Sequence, residues 1–199
     1  MPEQRLVLGN CGIIDPRDIE TYLDRGGFEA LEKARRAMTP EEVIGAVRAS
    51  GLRGRGGAGF DCGLKWEMVR KAEAEEKYLI CNADEGEVGT FKDRFILQND
   101  PFTLIEGIAI AAHAIGAGRV YLYLRAEYHF LLDSLMGALG QARDRGFLES
   151  LEVEVREGAG AYICGEESSL MNSLEGRRGE ARFRPPFPTS KGLWGYPTI

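Results

Sequence analysis

The 199-residue chain has a mass of 22.0 kDa, a formal charge of −6 and a pI near 5.2. A folded monomer of this mass keeps roughly 9,300 Å² exposed of about 32,000 Å² in the extended chain, so a core forms without a disulfide or metal staple. With 44% apolar and 28% charged residues, the composition excludes disordered, collagenous and coiled-coil classes, and the acidic balance excludes a broad nucleic-acid-binding stripe.

No apolar run reaches transmembrane length, so no direct membrane insertion is expected. The opening Met1-Pro2-Glu3-Gln4-Arg5 lacks the pattern of a secretory leader. Cys11, Cys62, Cys81 and Cys164 have neither C-x-x-C spacing nor a His pair nearby. No metal site is expected within this chain, and reduced thiols point to the cytoplasm.

In chain order, an apolar piece at Leu6-Val7-Leu8 precedes a helical stretch broken at Gly26-Gly27, giving a helical N-terminal extension over 1–38. Thr39, Pro40 and Glu42 supply an N-cap, a first-turn proline and a capping-box acid for a helix that ends at Gly51. Six glycines in residues 51–63 exclude regular structure there, and helix resumes over 64–76. Strands are expected over 78–81, 119–124 and 151–155, with helices over 102–115 and 128–145. Short apolar strands separated by long helices mark crossover units on a parallel sheet. The tail from Gly176 reads as irregular, and residues 176–191 carry +5 from Arg177, Arg178, Arg182, Arg184 and Lys191 against −1 from Glu180, net +4.

Three segments carry candidate chemistry. Gly54-Arg55-Gly56-Gly57-Ala58-Gly59 matches G-x-G-x-x-G, but it follows a helix instead of a strand, which excludes the usual dinucleotide fingerprint. It is either a phosphate cradle, aided by Lys65 and the next helix N-terminus, or a flexible turn. Asn82-Ala83-Asp84-Glu85-Gly86-Glu87 sits at the carboxyl end of the first strand, where open α/β sheets bind ligands. Its carboxylates fit magnesium, ribose hydroxyls or a solvated loop, and Asn82 fits a heterocycle edge. Residues 158–167, with Tyr162, Gly165, Glu166 and Glu167, follow the last strand as a second ligand edge or a tight turn. His113 and His129 have no catalytic setting, and no Ser or Cys has a base partner, so hydrolase chemistry lacks its parts.

In this order, residues 51–60 with Gly63-Leu64-Lys65-Trp66, residues 82–94 and residues 158–176 resemble the three signatures of the family of NADH-oxidising FMN flavoprotein subunits. That family is shared by respiratory complex I, soluble NAD(P)-linked hydrogenases and NAD-dependent formate dehydrogenases. The resemblance implies a Rossmann-like three-layer α/β domain with a mainly parallel sheet over 39–199. It also implies noncovalent FMN and NADH stacked for hydride transfer to the flavin, with no catalytic residue as such. Carried over residue by residue, Gly54, Arg55, Gly56, Gly57, Lys65, Asn82, Asp84, Glu85, Tyr162, Gly165 and Glu166 would contact FMN. Phe60 and Phe187 would sandwich the adenine, and Glu87 and Glu167 would line the ribose side of NADH.

Implied partners are a thioredoxin-like [2Fe–2S] subunit and further iron–sulfur subunits. Family members continue past the position of Ile199 into a ubiquitin-like domain and a helical bundle holding a [4Fe–4S] cluster. The chain is thus expected to be an N-terminal fragment, inactive alone. Asp61-Cys62 stands where the family has Pro-Thr, and Val88 where it has Pro. The Asp61 carboxylate is expected either to weaken dinucleotide phosphate binding or to face solvent. Residues 10–16 resemble the hydrogenase and formate dehydrogenase branch more than complex I. A non-redox nucleotide-binding module and a subunit-docking module are the alternative readings.

Overall fold

A computed structural model describes residues 5–199. Of the residues behind the no-leader expectation, 1–4 lie outside the described ones. Four helices come first: α1 (Ile19–Leu23), α2 (Glu29–Ala37), α3 (Pro40–Ala49) and α4 (Cys62–Lys71). Then follow β1 (Tyr78–Ala83), α5 (Lys92–Asn99), α6 (Pro101–Ile115), β2 (Arg119–Leu124), α7 (Leu132–Asp144), β3 (Glu152–Glu157), α8 (Glu167–Leu174) and the short α9 (Pro188–Lys191).

Local chemistry explains most helix ends. Thr39 and Glu42 form the reciprocal cap of α3, with Thr39 N–H donating to Glu42 at 2.7 Å and Glu42 N–H donating to Thr39 Oγ1 at 3.2 Å. Asp100 caps α6 through Thr103 N–H at 3.2 Å, Pro101 opens it, and Gly116 ends it in the left-handed region at φ 79°. The helix expected over 64–76 stops at Lys71, because Ala72 is extended at ψ 128°. The helix expected over 128–145 divides into a 3₁₀ turn at Ala126–Leu131 and α7. Leu6-Val7-Leu8 forms a turn, not a strand, and Leu6 and Val7 are exposed.

The three strands are parallel, in the order β1-β2-β3. The register sets Cys81 beside Leu122 and Leu122 beside Val155. Side chains alternate across the pleat, so Leu79, Ala83, Val120, Leu122, Leu124 and Val153 share one face. They pack there with Ile105, Ile108, Leu135 and Leu139 of α6 and α7. Tyr78, Tyr121 and Tyr123 lie on the opposite face, against Leu170 and Met171 of α8 and Leu193 of a 3₁₀ turn. Helices therefore cover both sides of the sheet, the three-layer α/β architecture that was expected.

Two features escaped the sequence reading. The tail is more ordered than expected: Ile80 N–H donates to Ile199 O at 2.7 Å and Ile199 N–H to Tyr78 O at 3.1 Å, so residues 197–199 border the free edge of β1. The N-terminal helices also share the main core. Phe28 and Leu31 are fully buried there, and the buried Glu106 of α6 accepts from Tyr22 Oη at 2.5 Å, Phe28 N–H at 2.9 Å and Leu31 N–H at 3.0 Å. Phe28 is the N-cap of α2 and offers no capping side chain, so Glu106 does that work from across the core.

Candidate functional site

β1 and β3 both end at the same edge of the sheet, so residues 84–91 and 158–165 emerge side by side. Asn82 clasps them together: Nδ2 donates to Gly165 O at 2.8 Å, while Oδ1 accepts Asp84 N–H at 3.1 Å. This carboxamide is therefore committed to the loops, with one N–H left for a heterocycle edge. Glycine at 165 eases this approach, because a Cβ would lie a tight 3.1 Å from Asp84 O. Gly86 likewise lies under the Tyr162 ring, where a Cβ would fall 2.8 Å from Cδ2, and Tyr162 Oη reaches Glu87 at 3.4 Å.

The three acids of the first loop have different settings. Glu85 is buried, and its carboxylate accepts from Asp93 N–H at 3.0 Å, Arg94 N–H at 3.3 Å and Tyr128 Oη at 2.8 Å. Burial pushes its pKa up, but these bonds and Lys92 outweigh it and leave the pKa lowered. Its carboxylate thus caps the start of α5. Asp84 has the opposite fate: Oδ2 is buried with no hydrogen-bond partner among the described residues, and burial raises its pKa against the pull of Arg125. Glu87 is exposed, and no cation pairs with it among the described residues.

The glycine loop joins this edge through α4. Gly54 N–H donates to Phe60 O at 2.9 Å, closing a hairpin whose tip carries Arg55, Gly56 and Gly57. A Cβ on Gly56 or Gly57 would meet nothing within 4 Å, so that tip is open, and Gly57 sits at φ 102°. Asp61 is half-buried. It caps α4, accepting Leu64 N–H at 2.7 Å, so the helix N-terminus expected to aid an anion is already occupied by a carboxylate.

Lys65 reaches across to the third segment and meets Glu167 Oε2 at 2.8 Å. Glu166 caps α8 through Ser168 N–H at 2.9 Å and Ser169 N–H at 3.0 Å. Burial pushes its pKa up, but those bonds and Arg184 leave it lowered. Arg184 bonds Glu166 and lies 3.0 Å from Glu167 Oε1. Sequence reading took Arg184 only as tail charge and passed over Arg125, which bonds Glu85 O and pairs with Glu127 at 2.8 Å. Phe60 and Phe187 are half-exposed and precede α4 and α9, two helices in contact.

The donor set fits a flavin mononucleotide. An open glycine tip carrying Arg55, with Lys65 on the helix that follows it, suits an anion, and the orphaned Asp84 oxygen suits a hydroxyl donor. A separate cavity of about 640 Å³, lined by Lys77, Arg119, Arg143 and Glu149 among others, lies at the amino ends of the strands, remote from all three segments.

Comparison with known proteins converges on the same region. The family described as the Nuo51 FMN-binding domain matches residues 47–195. The chain is 46% identical to an NADH-quinone oxidoreductase subunit of Rhizobium meliloti (strain 1021), covering 98% of this chain and 48% of the relative. It is 52% identical to an NADH-quinone oxidoreductase subunit of Aquifex aeolicus (strain VF5), covering 91% and 44%. It is 45% identical to NADP-reducing hydrogenase subunit HndC of Solidesulfovibrio fructosivorans, covering 98% and 41%. It thus spans just under half the length of these relatives, and their identities do not separate the two branches. An NAD⁺-reducing [NiFe]-hydrogenase in the H₂-reduced state superposes with a TM-score of 0.82 at 46% identity, over 90% of this chain and 32% of that one.

Proposed function

Because this chain belongs to the Nuo51 FMN-binding-domain family, we propose that it is the flavin- and nucleotide-binding part of an NADH-oxidising subunit. The observation that carries the reading is the convergence of three distant segments on one cleft, through Lys65 to Glu167 and Asn82 to Gly165.

The tip at Arg55, Gly56 and Gly57, with Lys65, holds FMN through its anionic group and ring edge. Asp84 accepts from a flavin hydroxyl. Tyr162, Gly165 and Glu166 shape the pocket wall, Gly54 and Asn82 keep its loops in place, and Glu85 lies at the flavin with its carboxylate bracing the acidic loop. Phe60 and Phe187 stack on the adenine of NADH, while Glu87 and Glu167 meet its ribose side. Bound flavin supplies hydride acceptance and the onward release of single electrons. The protein contributes position and water exclusion, and none of these roles needs an acid–base pair.

The complete protein passes its electrons to a [4Fe–4S] cluster beyond this chain. From there they go to a thioredoxin-like [2Fe–2S] subunit and further iron–sulfur subunits of a complex I, hydrogenase or formate dehydrogenase assembly. The names of relatives as subunits of an NADH-quinone oxidoreductase and of an NADP-reducing hydrogenase support a place in a multisubunit complex. Four free thiols support a cytoplasmic setting, and among the described residues no helix is long and apolar enough to cross a membrane.

The test is flavin content. Gly56→Val fills the open tip and Lys65→Ala removes its cation. Each is expected to lower FMN occupancy of the full-length protein about tenfold, equivalent to about 1.4 kcal/mol. Full occupancy in both variants would overturn the assignment.

A further inference from the structure

Two cations and two carboxylates close the cleft in a chain: Lys65 to Glu167, Glu167 to Arg184, and Arg184 to Glu166. Their side chains are 30–37% exposed, so water screens them only in part. Glu166 is also fixed by two backbone N–H groups, whereas among the described residues only Lys65 and Arg184 hold the Glu167 carboxylate. The link from Lys65 to Glu167 also joins α4 to the first turn of α8.

Lys65 is the cation in the first turn of the helix that follows the glycine tip, yet its ammonium is engaged by a carboxylate of this same chain. Three N–H donors would let it share partners, but an anion or carbonyl brought beside Glu167 meets like-signed charge a few ångströms away. We propose that Glu167 competes with FMN for Lys65, acting as an internal stand-in for the cofactor. Flavin loading then frees Glu167 Oε2 while Arg184 keeps Oε1. The carboxylate becomes available to a ribose hydroxyl only once flavin is in place, so the two sites are coupled, and the coupling is reciprocal. This rests on the reading that Lys65 contacts FMN.

The experiment titrates FMN and riboflavin into the full-length polypeptide stripped of flavin, followed by quenching of flavin fluorescence. Glu167→Gln keeps shape and removes the competing charge, so it is expected to bind FMN about fivefold more tightly, within the ordinary range of site coupling. The gain should shrink at high salt. Glu167→Asp, one methylene too short to reach Lys65, should also gain and serves if the first variant misfolds.

Combining Glu167→Gln with Lys65→Met should abolish the gain. An advantage for FMN alone assigns the competing group to the phosphate, and an equal advantage for riboflavin assigns it to the ring edge; both support competition. If Lys65→Met weakens FMN while neither Glu167 variant tightens it, the competition is wrong and the cleft reading stands. If Lys65→Met has no effect, both fall.

Discussion

Burial holds the Asp84 carboxyl above its ordinary value, and its Oδ2 has no partner among the described residues. A raised carboxylic pKa means that the folded protein disfavours the ionised form. The charge therefore costs stability above the folded value, and that cost fades as pH falls through it. Asp84→Asn should stabilise the flavin-free protein at neutral pH by on the order of 1 kcal/mol, the low end for an unsatisfied buried group, and the difference should narrow in acid. The same variant should weaken FMN binding, because the acceptor for a flavin hydroxyl loses its charge. Thermal melts at two pH values and an FMN titration check both signs; a less stable Asn variant would mean that the carboxylate already has a partner. Glu87 and Glu167 also part company at this scale. Glu167 keeps Arg184 at 3.0 Å even when flavin takes Lys65, whereas among the described residues the Glu87 carboxylate has only the Tyr162 hydroxyl at 3.4 Å. Repulsion of a 2′-phosphate should thus fall mainly on Glu87. Glu87→Gln is expected to raise kcat/KM for NADPH relative to NADH by about tenfold, or about 1.4 kcal/mol, and Glu167→Gln by less. Equal ratios in wild type and Glu87→Gln would leave pocket shape as the selector.

Between elements, a tight backbone-to-backbone approach occurs at Gly63 in the first turn of α4. A Cβ there would sit 2.7 Å from the backbone N and Cα of Arg48 in α3, and backbone cannot yield as a flexible side chain can. Gly63→Ala should therefore push α3 and α4 apart and cost about 1–3 kcal/mol, the usual range for overpacking, measured by urea denaturation. The glycine tip lies between these helices, so FMN affinity should fall with stability; an unchanged denaturation midpoint would show that the helices part freely. Helix starts also show what local sequence conveys. Thr39 with Glu42 and Asp100 with Pro101 carry their caps within three residues, and both helices are readable from the sequence. α5 and α2 begin at Phe91 and Phe28, neither with a capping side chain. Glu85 reaches back from outside α5, and Glu106 crosses the core to α2. Nothing local announces α5, and it goes unread. In the site, the three Gly- and acid-rich segments are readable, but the Asn82 clasp, the buried Glu85 and the place of Arg184 depend on pairings across 8 to 83 positions.

At the scale of the whole molecule, strand alternation and crossover spacing are enough to read a parallel sheet covered by helices. They do not reveal whether residues 5–38 stand apart. One side chain bears on this. Glu106 accepts three hydrogen bonds from α1 and the start of α2, among Phe28, Leu31 and Phe102 in the main core. Its acceptance from Tyr22, together with burial, pushes the tyrosine pKa up, burial being the larger cause. We infer that the N-terminal helices and the sheet unfold as one unit. Glu106→Leu would keep the apolar volume but leave two N–H groups and a hydroxyl without an acceptor. Each such loss costs about 1–3 kcal/mol, so global stability should drop by about 3 kcal/mol or more, and Glu106→Gln, which keeps one acceptor, should lose about half as much. Hydrogen exchange distinguishes a shared unit from a separable one. A shared core requires protection to fall in β2 and α6 as much as in α1 and α2. Faster exchange confined to α1 and α2, with an unchanged urea midpoint for the sheet, would mark residues 5–38 as a separable extension.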